Sequence, residues 1–158
     1  MNILAIDPGN VESAYCVIDD DCRPLVFGKV PNEQLRRDLE TRELVADVIA
    51  IEMVASYGMP VGADVFETCV WIGRLCEAAA REPQLVKRHG IKLHHCQSAR
   101  AKDSNIVQAL VDRFAKGEPN KGKGTKASPG FFYGFAADVW QAFALAVYVA
   151  DVRAGGAQ

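Results

Sequence analysis

The stretch LAIDPGNVESAYCVID, residues 4–19, decides how the rest of the chain reads. Leu4-Ala5-Ile6 has the character of a buried strand, yet the strand ends on Asp7, with Pro8-Gly9 directly after it. An unpaired charge in a core is costly, so such an aspartate is paired, solvated or metal-bound. Pro8-Gly9-Asn10 reads as a turn. Residues 2–7 and 13–19 then become two strands, with Asp19-Asp20-Asp21 as the next turn and residues 24–30 as a third strand. Turns this short predict an antiparallel meander.

Beyond the meander the pattern changes. Residues 32–43 are charged and rich in helix formers, with Asn32 placed as an N-cap. Residues 46–54 (ADVIAIEMV) read as a buried strand. Residues 62–82 read as a long helix, in which Val65, Cys69, Ile72, Cys76 and Ala79 share one face. That seam faces either the sheet or a second copy of the chain, and Trp71, off the seam, is either core or dimer contact. Residues 91–96 (IKLHHC) read as a fifth strand, on which His94, His95 and Cys96 alternate in direction, a poor geometry for one metal, so a structural role is expected of them. A helix over 103–116, a Gly/Lys/Pro-rich loop over 117–134 and an apolar helix over 135–153 complete the chain. This is an α/β pattern: one domain over residues 1–158, with a central mixed five-stranded sheet flanked by helices.

The 158 residues suffice for a real core. No apolar run is long enough to span a membrane. MNILAID lacks a basic region followed by an apolar one, so no secretory signal is expected. Five cysteines without a CxxC pair read as reduced thiols, and Cys16, Cys22, Cys69 and Cys76 as small buried or incidental residues. The expected compartment is the cytoplasm. The net charge of −2 conceals a division: residues 1–86 carry seven basic against fifteen acidic side chains, whereas residues 87–126 carry ten against three. A basic block in an acidic chain is a candidate polyanion surface.

Three carboxylates sit in segments that otherwise favour burial: Asp7, Glu52 in VIAIEMV, and Asp138 near the start of the final helix. If the first and fourth strands are neighbours, these acids converge beside that helix. A carboxylate cluster repels itself unless divalent cations neutralise it. Oxygen ligands suit Mg²⁺, with Mn²⁺ able to substitute. Two such ions per site would serve in-line displacement at a phosphodiester. Gln141, three residues after Asp138, shares its face and is placed to orient water or a phosphate.

Taken in order, LAIDPGNVESAYCVID, VIAIEMV, RAKDSNIVQALVDRF and DVWQAFALAV resemble the RuvC-type Holliday-junction resolvases. The resemblance covers nearly the whole chain. It implies an RNase H-like fold and a magnesium-dependent endonuclease that resolves four-way DNA junctions as a homodimer. It also implies Asp7, Glu52, Asp138 and Gln141 as the catalytic set, with the first three as metal ligands. Gln141 stands where many relatives carry an aspartate, and Ala55 where relatives can carry an aromatic wedge. Tyr57 or Met59 would substitute for that wedge. RAKD and the Lys/Gly loop are similar to the phage and prophage branch, which would place the protein in a bacterial host's cytoplasm.

The basic block supplies the expected DNA contacts: Arg100 and Lys102 before the helix at 103, then Lys121, Lys123 and Lys126, with Lys116, on the loop. GEPNKGKG, residues 117–124, nearly matches a phosphate-binding loop. Gly124 replaces its hydroxyl residue and the segment follows a helix, so no nucleotide cofactor is expected. The rival expectations are a non-catalytic branched-DNA binder, prompted by Gln141, and an RNA-processing nuclease of the same fold.

Overall fold

Each strand alternates its side chains between two faces, and the two faces of the central strands differ in size. On β1 (Ile3–Asp7), Leu4 and Ile6 point one way, while Ile3 and Ala5 point the other. On β4 (Val48–Met53), Ile49 and Ile51 match the first set, and Val48 and Ala50 the second. β1 and β4 pair in parallel, Ile3 with Val48 through Ile6 with Ile51. In the computed structural model, which describes residues 1–156, these two strands lie at the middle of a sheet ordered β3-β2-β1-β4-β5.

β2 (Glu12–Ile18) runs antiparallel to β1, and β3 (Pro24–Pro31) antiparallel to β2. The meander predicted from the opening stretch is therefore present. Its first turn needs glycine: a Cβ on Gly9 would lie 2.4 Å from the Glu12 carbonyl oxygen. Asn32 locks the same turn. Its amide nitrogen donates to the Gly9 carbonyl at 2.8 Å, and the buried Ser13 hydroxyl donates to its Oδ1 at 2.6 Å. Asn32 is thus the first residue of α1 (Asn32–Glu40) and clamps the turn after Asp7, whereas the sequence placed it as an N-cap.

α1 and α2 (Ala63–Ala78) cover the face of Leu4, Ile6, Ile49 and Ile51. Ile72, Leu75 and Ala78 are buried there, with Cys76 and Ala79 packed beside them. The lower part of the predicted seam therefore faces the sheet. Phe66 and Val70 point to solvent, and Arg74 lies over the Trp71 ring at 4.7 Å.

The other face takes α5 (Val139–Gly156), which is buried along most of its length. Ala5, Ala14, Cys16 and Ala50 are small, so this helix sits close on the sheet. An aromatic cluster closes the near end: Phe132 lies 4.6 Å from Trp140 and Phe135 4.7 Å from Phe27, between ring centroids. No helix among the described residues is long and apolar enough to cross a membrane.

Two sequence expectations are corrected. The fifth strand, β5, is Gln84–Lys87 and pairs in parallel with β4; residues predicted as that strand belong to α3 (Arg88–Cys96). β5 is short and largely exposed, so it carries no burial pattern to read, whereas Ile91, His94 and His95 recur at helical spacing. His94 meets Asp151 at 2.7 Å and His95 meets the Ala144 carbonyl at 2.8 Å, both toward α5. The final helix starts at Val139, because Phe135 is buried in the aromatic cluster and Ala137 takes φ 41°. The expected loop follows α4 (Asp103–Phe114). It holds a 3-10 turn at Asn120–Gly122, and the Phe132 amide donates to the Gly122 carbonyl at 2.9 Å. Gly130 packs on that carbonyl so closely that a Cβ there would lie 2.2 Å from it.

Candidate active site

The β1–β4 register brings two acids together. Asp7 and Glu52 each follow the last paired residues, Ile6 and Ile51, by one position. By alternation they share the face of Ala5 and Ala50, which is the face α5 covers. Asp138 immediately precedes α5, where its carbonyl accepts from the amides of Gln141 and Ala142. Three distant segments of sequence thus meet at one end of the sheet.

The electrostatics register that meeting. Burial pushes the Asp7 carboxyl up to about 8, with further pushes from the negative charges of Glu52 and Asp138. Burial also raises Glu52, although Arg88 pulls the other way. Without a cation, the centre of this site holds a proton that an exposed aspartate would have lost.

Two basic side chains occupy the flanks. Lys29, on β3, donates to Asp138 Oδ2 at 2.6 Å. Arg88, the first residue of α3, donates to Glu52 Oε2 at 3.0 Å, to Gln141 Oε1 at 2.6 Å and to Asp103 Oδ1 at 2.5 Å. No three His, Cys, Asp or Glu side chains among the described residues are gathered closely enough to hold a metal ion as they stand. The donor chemistry nevertheless fits a hard divalent cation: three half-buried carboxylates whose mutual repulsion such an ion relieves. Asp7, Glu52 and Asp138 are the residues that would hold it.

No family model and no curated protein matches the sequence. Solved structures do match. Thermus thermophilus RuvC superposes with a TM-score of 0.67 at 14% identity, over 98% of this chain and 97% of that one. T. thermophilus RuvC in complex with a Holliday junction substrate gives 0.66 at 15%, over 98% and 96%. The fowlpox virus Holliday junction resolvase gives 0.56 at 14%, over 96% and 99%. The chain has the RuvC fold. That RNase H-like architecture is the one the four sequence stretches implied.

Within the RuvC fold, the remaining expected residues divide by distance from the acids. Tyr57 is 65% exposed and lies beyond β4, its ring 6.5 Å from that of His89. Tyr57, Arg88, His89, Lys92 and Ala99 line a cleft of about 290 Å³ beside the acidic site. Arg100 and Lys102 are exposed on the α3–α4 connection, which the Arg88–Asp103 pair ties to the site. Lys121 and Lys126 are exposed and Lys123 half-buried on the ordered loop. None of these three loop lysines is in an ion pair among the described residues.

Sequence reading missed Arg88, Lys29 and Asp103. Arg88 was inside the basic block, but its role depends on β5 delivering it beside Glu52, and that strand was misplaced. Lys29 became legible only once β3 was known to lie across from Asp138. The spacing of Asp138 and Gln141, by contrast, already put them on one helical face.

Proposed function

We propose that this chain is a metal-dependent, structure-selective endonuclease that resolves four-way DNA junctions. Its reaction is paired phosphodiester hydrolysis, one cut from each copy of a homodimer. The observation that carries this reading is the pairing of Asp7 with Glu52 at the end of the central strands, with Asp138 at the head of α5, on a RuvC fold. T. thermophilus RuvC in complex with its Holliday junction substrate, and the fowlpox virus resolvase, also solved with Holliday junction DNA, support the choice of branched DNA as substrate.

Asp7, Glu52 and Asp138 would hold Mg²⁺, for which Mn²⁺ can substitute. A bound divalent cation supplies a more acidic attacking water and charge stabilisation for the leaving 3′ oxygen. The chain's own groups do the rest. Asp7 would serve such an ion as an ionised carboxylate, its burial offset by the ion's charge. Gln141, its carbonyl engaged by Arg88, keeps its amide NH₂ to orient a water or phosphate oxygen. Arg100, Lys102 and the loop lysines attract phosphates without reading sequence. Tyr57 stacks against an unpaired base at the branch.

A labelled four-way junction, a linear duplex and an RNA–DNA hybrid, each with Mg²⁺ or Mn²⁺, test the reading beside Asp7→Asn. Symmetric nicks in the junction alone, absent in the variant, establish it. A specific observation favours one rival: Gln141 is neutral, and Lys29 and Arg88 already engage the acids. Tight junction binding without nicks under either metal would identify a non-catalytic branched-DNA binder. Preferential cleavage of the hybrid would identify an RNA-processing nuclease.

A further inference from the structure

The two cations flanking the site are held very differently. Lys29 is exposed and makes one hydrogen bond, to an exposed partner, Asp138. A long flexible ammonium in that setting is displaced at little cost. Arg88 is different. Its side chain is 21% exposed, and its planar guanidinium is shared among Glu52, Gln141 and Asp103. Gln141 is 6% exposed and turns its carbonyl oxygen to Arg88. Withdrawing the guanidinium would leave that buried acceptor without its donor.

We propose that Arg88, seated on Gln141, takes the place of a second metal ion, so that the chain binds one divalent cation per site where a paired-ion site would bind two. The proposal rests on the metal-dependent reading above and fixes its ion count. Arg88 is permanently charged and its fork matches a carboxylate. It neutralises Glu52 from the α3 side and leaves Asp7, Asp138 and the second oxygen of Glu52 to a single ion. A neutral amide at 141 suits this arrangement: it accepts from the guanidinium and adds no further charge to attract another dication. Lys29 is the side chain that yields when the ion enters. Arg88 is a positioning residue here, acting through Glu52 and Gln141.

The test is a count. Metal-free protein is titrated with Mn²⁺ alone, and bound ions are read from loss of the free-ion electron paramagnetic resonance signal, so that no cleavage is required. The wild type is expected to bind one ion per chain. Arg88→Lys, which keeps a charge, and Gln141→Asp, whose new carboxylate Arg88 pairs, are each expected to bind one. The double variant Arg88→Ala/Gln141→Asp is expected to bind two. Two ions in the wild type, or two in Gln141→Asp alone, overturn the proposal while leaving the nuclease reading intact. No bound ion in the wild type overturns both. The wild-type count decides even if the double variant fails to fold.

Discussion

The two faces of the central sheet carry opposite kinds of residue. Under α1 and α2 the strands present Leu4, Ile6, Ile49 and Ile51, all fully buried and none polar. Under α5 they present Ala5 and Ala50, then Asp7 and Glu52 one step further along the same strands. Alternation makes both faces from the same strands, so a single strand serves the core on one side and the candidate site on the other. Small side chains on the second face bring α5 close, and that closeness brings Asp138 and Gln141 to the acids. The same closeness strips water from Asp7 and raises its pKa.

The sharpest way to separate the faces is to change one residue on each. Asp7→Asn is expected to reduce junction cleavage by roughly a thousandfold or more, the scale for removing one preorganised charge from a transition state. Its junction binding and melting temperature should be preserved or improved. Ile51→Ala, on the other face, is expected to do the reverse: to lose about 2–5 kcal/mol of folding stability, with cleavage per folded molecule retained. Denaturant titration beside single-turnover cleavage checks both. If Ile51→Ala lost activity at full stability, the division between the faces would fail.

Much of this division was legible in the sequence, for a physical reason. Buried strands advertise themselves by composition, so an acid at the end of one stands out. ILAID and VIAIEM both showed it, and the 3.6-residue period put Gln141 beside Asp138. β5 and Arg88 were not legible. An edge strand of four largely exposed residues has no apolar alternation, and IKLHHC mimicked one that it does not form. Lys29 pairs with a residue 109 positions away, and no local pattern encodes such a contact. The aromatic anchoring of the 117–134 segment was hidden in the same way, since Phe132 looks like a loop residue until Trp140 and Phe143 are packed against it.

The polar face should also set the protein's response to pH. Asp7 has an ordinary carboxyl, near 3.8, when unfolded and is pushed up to about 8 when folded. The folded state therefore holds the proton more tightly. The resulting stability is complete below about pH 4 and is lost as pH rises through about 8. Glu52, also raised, adds in the same direction. Metal-free protein should lose on the order of a few kcal/mol across that window. Asp7→Asn should flatten most of the slope, and saturating Mg²⁺ should restore stability at the alkaline end. Thermal melts at a series of pH values, with chelator or with Mg²⁺, decide this. A slope unchanged in Asp7→Asn would place its source elsewhere.

The smallest effects are expected farthest from both faces, on the loop between α4 and α5. Its backbone is fixed by hydrogen bonds such as that from the Gly130 amide to the Lys123 carbonyl at 3.0 Å. The lysines are thus carried on a formed surface, and their charges should act singly. If Lys121 and Lys126 each neutralise one phosphate, replacing either by alanine lowers the slope of log affinity against log salt by about 0.9, alike for every junction sequence. Folding stability should not move, because both side chains are exposed and outside any ion pair among the described residues. Binding isotherms over a range of salt concentrations read the slope directly. An unchanged slope would remove that lysine from the interface, and a sequence-dependent change would mean that it reads bases. Either result would leave the acidic site where it is, because the strongest charges acting on Asp7 come from Glu52, Asp138, Arg88 and Asp103, and none from the loop.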